Sequence, residues 1–486
     1  DEFLARVGVH LKRALNSEEL DVGDVIDALK TVLRINKELK LLPDNVLVYE
    51  FMQGALQPMD QFTDMIWPAA KAEFEKHTSG KFSGVGIQIR KAAGDPILVI
   101  SPLKDSPAYE KGIRPGDMIT KINGEDAKGY TISRAVREIT GRIGTPVRLT
   151  MKRGEHGKEF EVELIRREIK ISTIRGIERK SDGDWEFMID PDSKIAYTRL
   201  TNFTDECVEE LSDVLRTLEE QGMRGLIFDL RGNPGGPLRA AVGISDMFLS
   251  GKKRIVSTRG RRAQPWQVDS TEEFDFSDFP LIVLINPSSA SASEIVAGAL
   301  QVHQRALIVG ERSFGKGSVQ QVFPLNNARS AFLKLTTSLY YLPNDVCLHR
   351  DEDSETWGVD PDVEVKLTPK EYVKISQLQL KAEILKGKNQ EDLTDEDVKS
   401  LTEYKSTTKP ADGEDEEAIE GEEHAEDDEA SEHEPKITRV DENNFPEIDP
   451  QLEAALLLMR IRLESGEPWR PAHTEMAAKP TETTGG

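Results

Sequence analysis

This 486-residue chain is short of cysteine, of long apolar runs and of positive charge. Its two cysteines, Cys207 and Cys347, exclude a disulfide framework and a Cys-rich zinc site. The longest uninterrupted apolar run, Ala454 to Met459, has six residues. A membrane-spanning helix needs roughly 20, so no such segment is expected. Lys and Arg number 63 against 87 Asp and Glu, a net charge of −24. A nucleic-acid binder needs a basic face, so that class is disfavoured. Fourteen of the acids lie between Asp412 and Glu434, where no Lys or Arg occurs. Setting those fourteen charges aside leaves −10 for the rest of the chain. Several catalytic signatures are also missing. There is no G-x-S-x-G elbow, no H-E-x-x-H and no C-x-x-C. No metal or cofactor is expected.

What the sequence does contain divides by periodicity. Residues 1–79 read as helical, with Leu11, Leu15, Leu20, Val25, Leu29 and Leu33 at helical spacing. Met52 to Met65 reads as a helix interrupted by Pro58. Residues 80–168 read as a compact β-rich unit with the turns Pro115-Gly116-Asp117 and Asn123-Gly124. In residues 169–368 strands alternate with helices, which predicts an α/β layered core. Its apolar strands include Gly225 to Leu230, Leu281 to Ile285 and Ala306 to Val309. Residues 369–409 read as helical again. Residues 410–438 have the composition of a disordered acidic linker. Residues 439–465 hold a short apolar helix that must dock on something, and 466–486 read as a polar tail.

Three segments carry potential chemistry. The first, Asn286-Pro-Ser-Ser-Ala-Ser-Ala-Ser-Glu294, joins an apolar strand to a helix. Helical N–H groups without internal partners can stabilise an oxyanion there. Ser291-Ala-Ser-Glu294 also has the form of a capping box, which would only start the helix. The second is Ser313-Phe-Gly-Lys316-Gly-Ser-Val-Gln320. A buried lysine loses charge stabilisation and becomes a base near neutral pH. Gln320 can orient an amine without adding charge. Gly310-x4-Gly315-Lys316 imitates a phosphate-binding loop. The next residue is Gly317 rather than Ser or Thr, and a strand follows rather than a helix. The third is Asp229-Leu-Arg-Gly-Asn-Pro-Gly235-Gly236, whose paired glycines allow a backbone N–H close to a reacting carbonyl. His303, one helix beyond the serines, suits packing better than catalysis.

In this order and spacing, the three segments resemble those of the C-terminal processing (tail-specific) serine peptidases of family S41. The likeness covers about residues 40–370. It implies an α/β multidomain fold: a ClpP/crotonase-like peptidase core, an inserted β-rich PDZ domain and helical N- and C-terminal segments. It implies Ser291 as nucleophile, Lys316 as general base 25 residues on, and Gln320 holding the lysine. The oxyanion hole would be the N–H of Ala292 with that of Gly235 or Gly236. Gly84-Val85-Gly86-Ile87 would be the PDZ carboxylate-binding loop. The implied function is an endopeptidase that grips apolar or unfolded C-terminal tails of proteins. A silent or partner-activated PDZ scaffold of the same fold is the alternative. Partners would be such substrates, with an adaptor or a second copy of the chain also consistent, in the periplasm or cell envelope. One departure is the acidic segment Asn344 to Trp357, where the family has a short hairpin.

Overall fold

The computed structural model describes residues 2–15, 22–39, 41–91, 96–154, 157–261, 265–271, 276–325, 331–385 and 449–469. The acidic segment 410–438 lies outside these residues, as do 386–409, 439–448 and the tail from 470.

The leading segment forms helices Glu2–Leu15, Val22–Leu39, Asp44–Leu56 and Lys71–Ser79. It is not wholly helical, which corrects the sequence reading. The third helix stops at Leu56, two residues before Pro58, and does not resume. Proline has no N–H to donate back along a helix. The chain instead runs through a turn into the strand Asp64–Ile66, which pairs antiparallel with Phe332–Tyr341. The lead-in is thereby stitched into the core's second sheet.

In the β-rich unit the strands Ile87–Arg90, Ile97–Pro102, Asp117–Ile122, Pro146–Arg153 and Glu159–Ile165 lie in that order in one sheet. Val85, Ile97, Val99, Ile119, Leu149 and Met151 fill its core with the helix Ile132–Ile139. Lys81–Gly84 pairs antiparallel with Arg167–Lys170, so the chain enters and leaves the unit side by side. Two crossing points that close together are what allow a domain to be inserted within another.

Five strands of the core are parallel: Ile195–Leu200, Gly225–Asp229, Leu281–Ile285, Ala306–Gly310 and Val363–Glu364. Their residues alternate between two apolar layers. Leu226, Phe228, Leu281, Val283 and Ile285 pack against Cys207–Glu220, Leu238–Phe248 and Ala292–Val302. Ile227, Ile282, Leu284 and Val309 face the helix Pro450–Ser465 through Ala455, Leu456 and Met459. Both faces are covered, which is why these strands are apolar throughout. A Cβ on Gly225 would stand 2.6 Å from Met459 Sδ, so the glycine admits the helix. The second sheet joins Ser318–Pro324, Phe332–Tyr341, Arg254–Arg259 and Trp266–Asp269. Ile384 and Leu385, after the helix Pro369–Glu383, rest on the β-rich unit. Ile384 packs on Leu98 and Ile100, and the Leu385 N–H donates to Ser101 Oγ at 2.9 Å.

Candidate active site

Three neighbouring parallel strands end at one edge, and each feeds one of the three segments singled out in the sequence. Gly225–Asp229 leads to the glycine loop, Leu281–Ile285 to the serine cluster, and Ala306–Gly310 to Lys316. Ligands of open parallel sheets gather at this carboxyl edge.

Ser291 is the N-cap of Ala292–Val302, with φ 56° and ψ −111°. Positive φ is rare for a residue with a Cβ and marks stored backbone strain. Its flanking serines are spoken for. Ser289 Oγ donates to Leu230 O at 2.8 Å, and Ser293 Oγ to Asn233 O at 3.0 Å. Both are buried and sew the cluster to the glycine loop. Ser291 is only half-buried. It faces a pocket of about 150 Å³ lined by Gly236, Pro237, Leu238, Ala292, Ile295, Val319, Gln320 and Tyr340.

The two glycines differ. Gly235 has φ 96°, and a Cβ there would lie 2.8 Å from Ser291 Cβ and 2.7 Å from Ala290 O. Its N–H donates to Asn233 Oδ1 at 2.9 Å. Gly236 backs onto Phe203, whose carbonyl oxygen would be 2.2 Å from an added Cβ. Among the described residues, no hydrogen bond takes up the N–H of Gly236 or of Ala292. The loop's base is ionic. Asp229 accepts from Arg231 and from Tyr197 Oη, and Arg231 also grips Asp449, the N-cap of the last helix.

Glu294 ties the site together. Its carboxylate accepts from Ser291 N–H at 2.7 Å, Lys316 N–H at 2.9 Å, Gly315 N–H at 2.6 Å and Ser313 Oγ at 2.6 Å. Burial pushes this carboxyl upward, and the four donors work against that rise. The sequence suggested it only as the far half of a capping box, and it fills that place while also holding the lysine segment. Gly315 and Gly317 admit the acidic departure segment. Cβ atoms there would strike Trp357 and Arg350, and the backbone of His349.

The Lys316 ammonium lies over the Phe62 ring, 4.8 Å from its centroid. Burial depresses its pKa, Lys334 lowers it further, and Glu294 opposes both. Tyr340 Oη donates to Lys316 O, and the Tyr340 side chain lines the same pocket as Ser291. Gln320 Nε2 donates to Ser318 Oγ at 2.9 Å and Thr336 Oγ1 at 3.2 Å. No hydrogen bond joins Lys316 Nζ to Ser291 or to Gln320 among the described residues. His303 bonds Arg254 O at 2.7 Å, far from this chemistry.

Phe62 and its neighbour Asp60 were not foreseen. Thr336 Oγ1 donates to Asp60 Oδ1 across 276 residues of sequence. No local spacing announces such a contact. The one available signal was a polar turn, Asp60-Gln61-Phe62-Thr63, inside a segment read as helix.

In the β-rich unit, Gly84 closes the strand Lys81–Gly84, and Ile87 opens the edge strand Ile87–Arg90. Val85 and Gly86 form the link between them. The Val85 and Gly86 carbonyls accept from Ala108 N–H and Leu103 N–H. No hydrogen bond takes up the N–H of either residue among those described.

Two family models match the chain: "Peptidase family S41" over residues 194–365 and "PDZ domain" over 72–152. A carboxy-terminal-processing protease of Bartonella bacilliformis is 34% identical over 380 residues, 76% of this chain and 81% of its own. Carboxy-terminal processing protease CtpA of Bacillus subtilis is 32% identical over 69% of this chain and 67% of its own. A solved structure titled photosystem II D1 C-terminal processing protease is 26% identical, covering 75% of this chain and 92% of that one, with a TM-score of 0.38. The α/β multidomain architecture with a PDZ domain agrees with the two family models. The chain belongs to peptidase family S41, among the PDZ-bearing carboxy-terminal processing proteases.

Proposed function

We propose that this chain is a serine endopeptidase that holds protein C-terminal tails on its PDZ domain and cleaves with a Ser291–Lys316 dyad. The observation that carries this reading is the Glu294 carboxylate, which fixes the backbone of both residues at once. Neutral Lys316 takes the Ser291 proton as Oγ attacks the scissile carbonyl. Oγ first turns toward the amine, a rotamer change of the ps–ns class. Dyad hydrogen bonds are often absent before substrate binds. The developing oxyanion is received by the N–H groups of Ala292 and Gly236, because the Gly235 N–H is engaged by Asn233. Lys316 returns the proton to the leaving amine, and water then releases the acyl group by the same route. Gln320 orients the lysine.

The tail adds as a strand to the edge Ile87–Arg90, its carboxylate on the N–H groups of the Gly84–Ile87 loop. No helix among the described residues is long and apolar enough to cross a membrane. With bacterial relatives, we place the enzyme in the periplasm or cell envelope, where fractionation should find it.

One feature favours a second reading, a partner-activated enzyme: the Lys316 ammonium rests over the Phe62 ring, with no hydrogen bond to Ser291 among the described residues. Cleavage of an unfolded reporter with an apolar tail, against the same reporter with a charged tail, separates the readings. Wild type should cut the apolar-tailed reporter faster, and Ser291→Ala and Lys316→Ala should each lose at least about a thousandfold. Wild-type turnover in either variant would refute the dyad. Cleavage that appears only when a tail peptide is added would favour partner activation.

A further inference from the structure

We infer that Asp60, through the Thr336 hydroxyl, fixes which end of the Gln320 amide is presented to the catalytic site, making the lead-in turn 60–63 a positioning element of the dyad. The inference rests on the Ser291–Lys316 reading above.

The argument follows proton direction along a short chain. Asp60 is an acceptor only. Burial alone would raise its carboxyl, but hydrogen bonds from Thr63 Oγ1, Phe62 N–H, Thr336 and Thr63 N–H outweigh burial and hold it below its ordinary value. Thr336 Oγ1 therefore spends its one proton on Asp60 Oδ1, at 2.9 Å. A hydroxyl that has donated can only accept. Gln320 must then turn its amide nitrogen toward Thr336, where it stands at 3.2 Å, and toward Ser318 Oγ at 2.9 Å. The carbonyl oxygen is the end left over, and no donor within the described residues occupies it.

Without Asp60, the Thr336 proton is free to point at Gln320. The amide can then flip at little expense, since its two ends differ only in hydrogen bonding. On the reading that Gln320 orients the lysine, a flipped amide offers N–H groups to Lys316 in place of the carbonyl oxygen. These oppose the ammonium and occupy the lone pair of the amine, which spoils the base either way. Phe62, two residues on, holds the lysine from the same turn. The charged groups acting on Lys316 are Lys334 and Glu294, neither of which belongs to this chain of contacts.

The test reads Lys316 directly. Limiting anhydride acylates amines in proportion to their neutral fraction, and mass spectrometry across pH gives the Lys316 midpoint. This works with or without turnover. Asp60→Ala and Thr336→Val should each move the midpoint to lower pH and lower kcat/KM about tenfold or more. In a Gln320→Leu background, which has no amide to flip, Asp60→Ala should move the midpoint no further. An equal movement in both backgrounds, or none in either, would overturn the inference. If wild type cleaves nothing while the midpoint still moves with Asp60 only when Gln320 is present, the peptidase reading fails and the positioning role stands.

Discussion

At the residue scale, side chains that look alike in sequence differ by what they touch. Four serines crowd residues 288–293, yet Ser289 and Ser293 are buried structural donors while Ser291 opens on the pocket. The sequence pointed to the cluster through its strand-to-helix position, and family resemblance singled out Ser291. The Asp60 and Phe62 contacts were illegible, because they depend on a chain reversal hundreds of residues later. Gly235→Ala should cost at least about tenfold in kcat/KM, since its Cβ would push on Ser291 and its φ of 96° suits no other residue. Steady-state rates with the apolar-tailed reporter check this. Lys316→Met should stabilise the core near pH 7, where a desolvated ammonium is costly. The folded pKa lies below the ordinary lysine value, so the unfolded chain binds more protons between the two and wild-type stability rises with pH. The variant's advantage, roughly 2–4 °C in melting midpoint, should shrink as pH approaches 10. Thermal scans at several pH values measure it.

At the element scale, periodicity was a good guide where packing follows it. The helix Ile132–Ile139 and the strands of the parallel sheet fall where apolar pattern places them. It failed at Met52–Met65, where a three-residue strand owes its existence to pairing with Phe332–Tyr341. A short strand has no period to read. The helix Pro450–Ser465 carries an ionic cap as well as an apolar face. The Arg231 side chain is 4% exposed, and burial would lower its pKa, but Asp229 and Asp449 raise it well above its ordinary value. Asp449→Ala removes one of the two carboxylates and also the helix N-cap. It should destabilise the core by about 3 kcal/mol, as broken buried pairs do. Urea unfolding gives the value. Leu457→Ala, on the exposed side of the same helix, should change it by less than about 0.5 kcal/mol.

At the scale of the whole molecule, the PDZ unit meets the core through more than its two covalent links. Ile384 and Leu385 sit on the strand Ile97–Pro102, and Lys104 pairs with Asp184. Neither contact has a sequence signature, since each joins distant surfaces. Leu385→Asp should loosen this seat and speed limited proteolysis of the 166–176 connection, with anhydride labelling of Lys316 unchanged. The Arg231–Asp449 pair has a consequence in time. Its partners are separated by 218 residues. Synthesis at roughly 5–20 residues per second leaves Arg231 waiting on the order of 10–40 s for its second carboxylate. During that interval the Arg231 guanidinium has Asp229 as its one carboxylate partner. The ionic base of the glycine loop is therefore completed only after all five parallel strands of the core have been made.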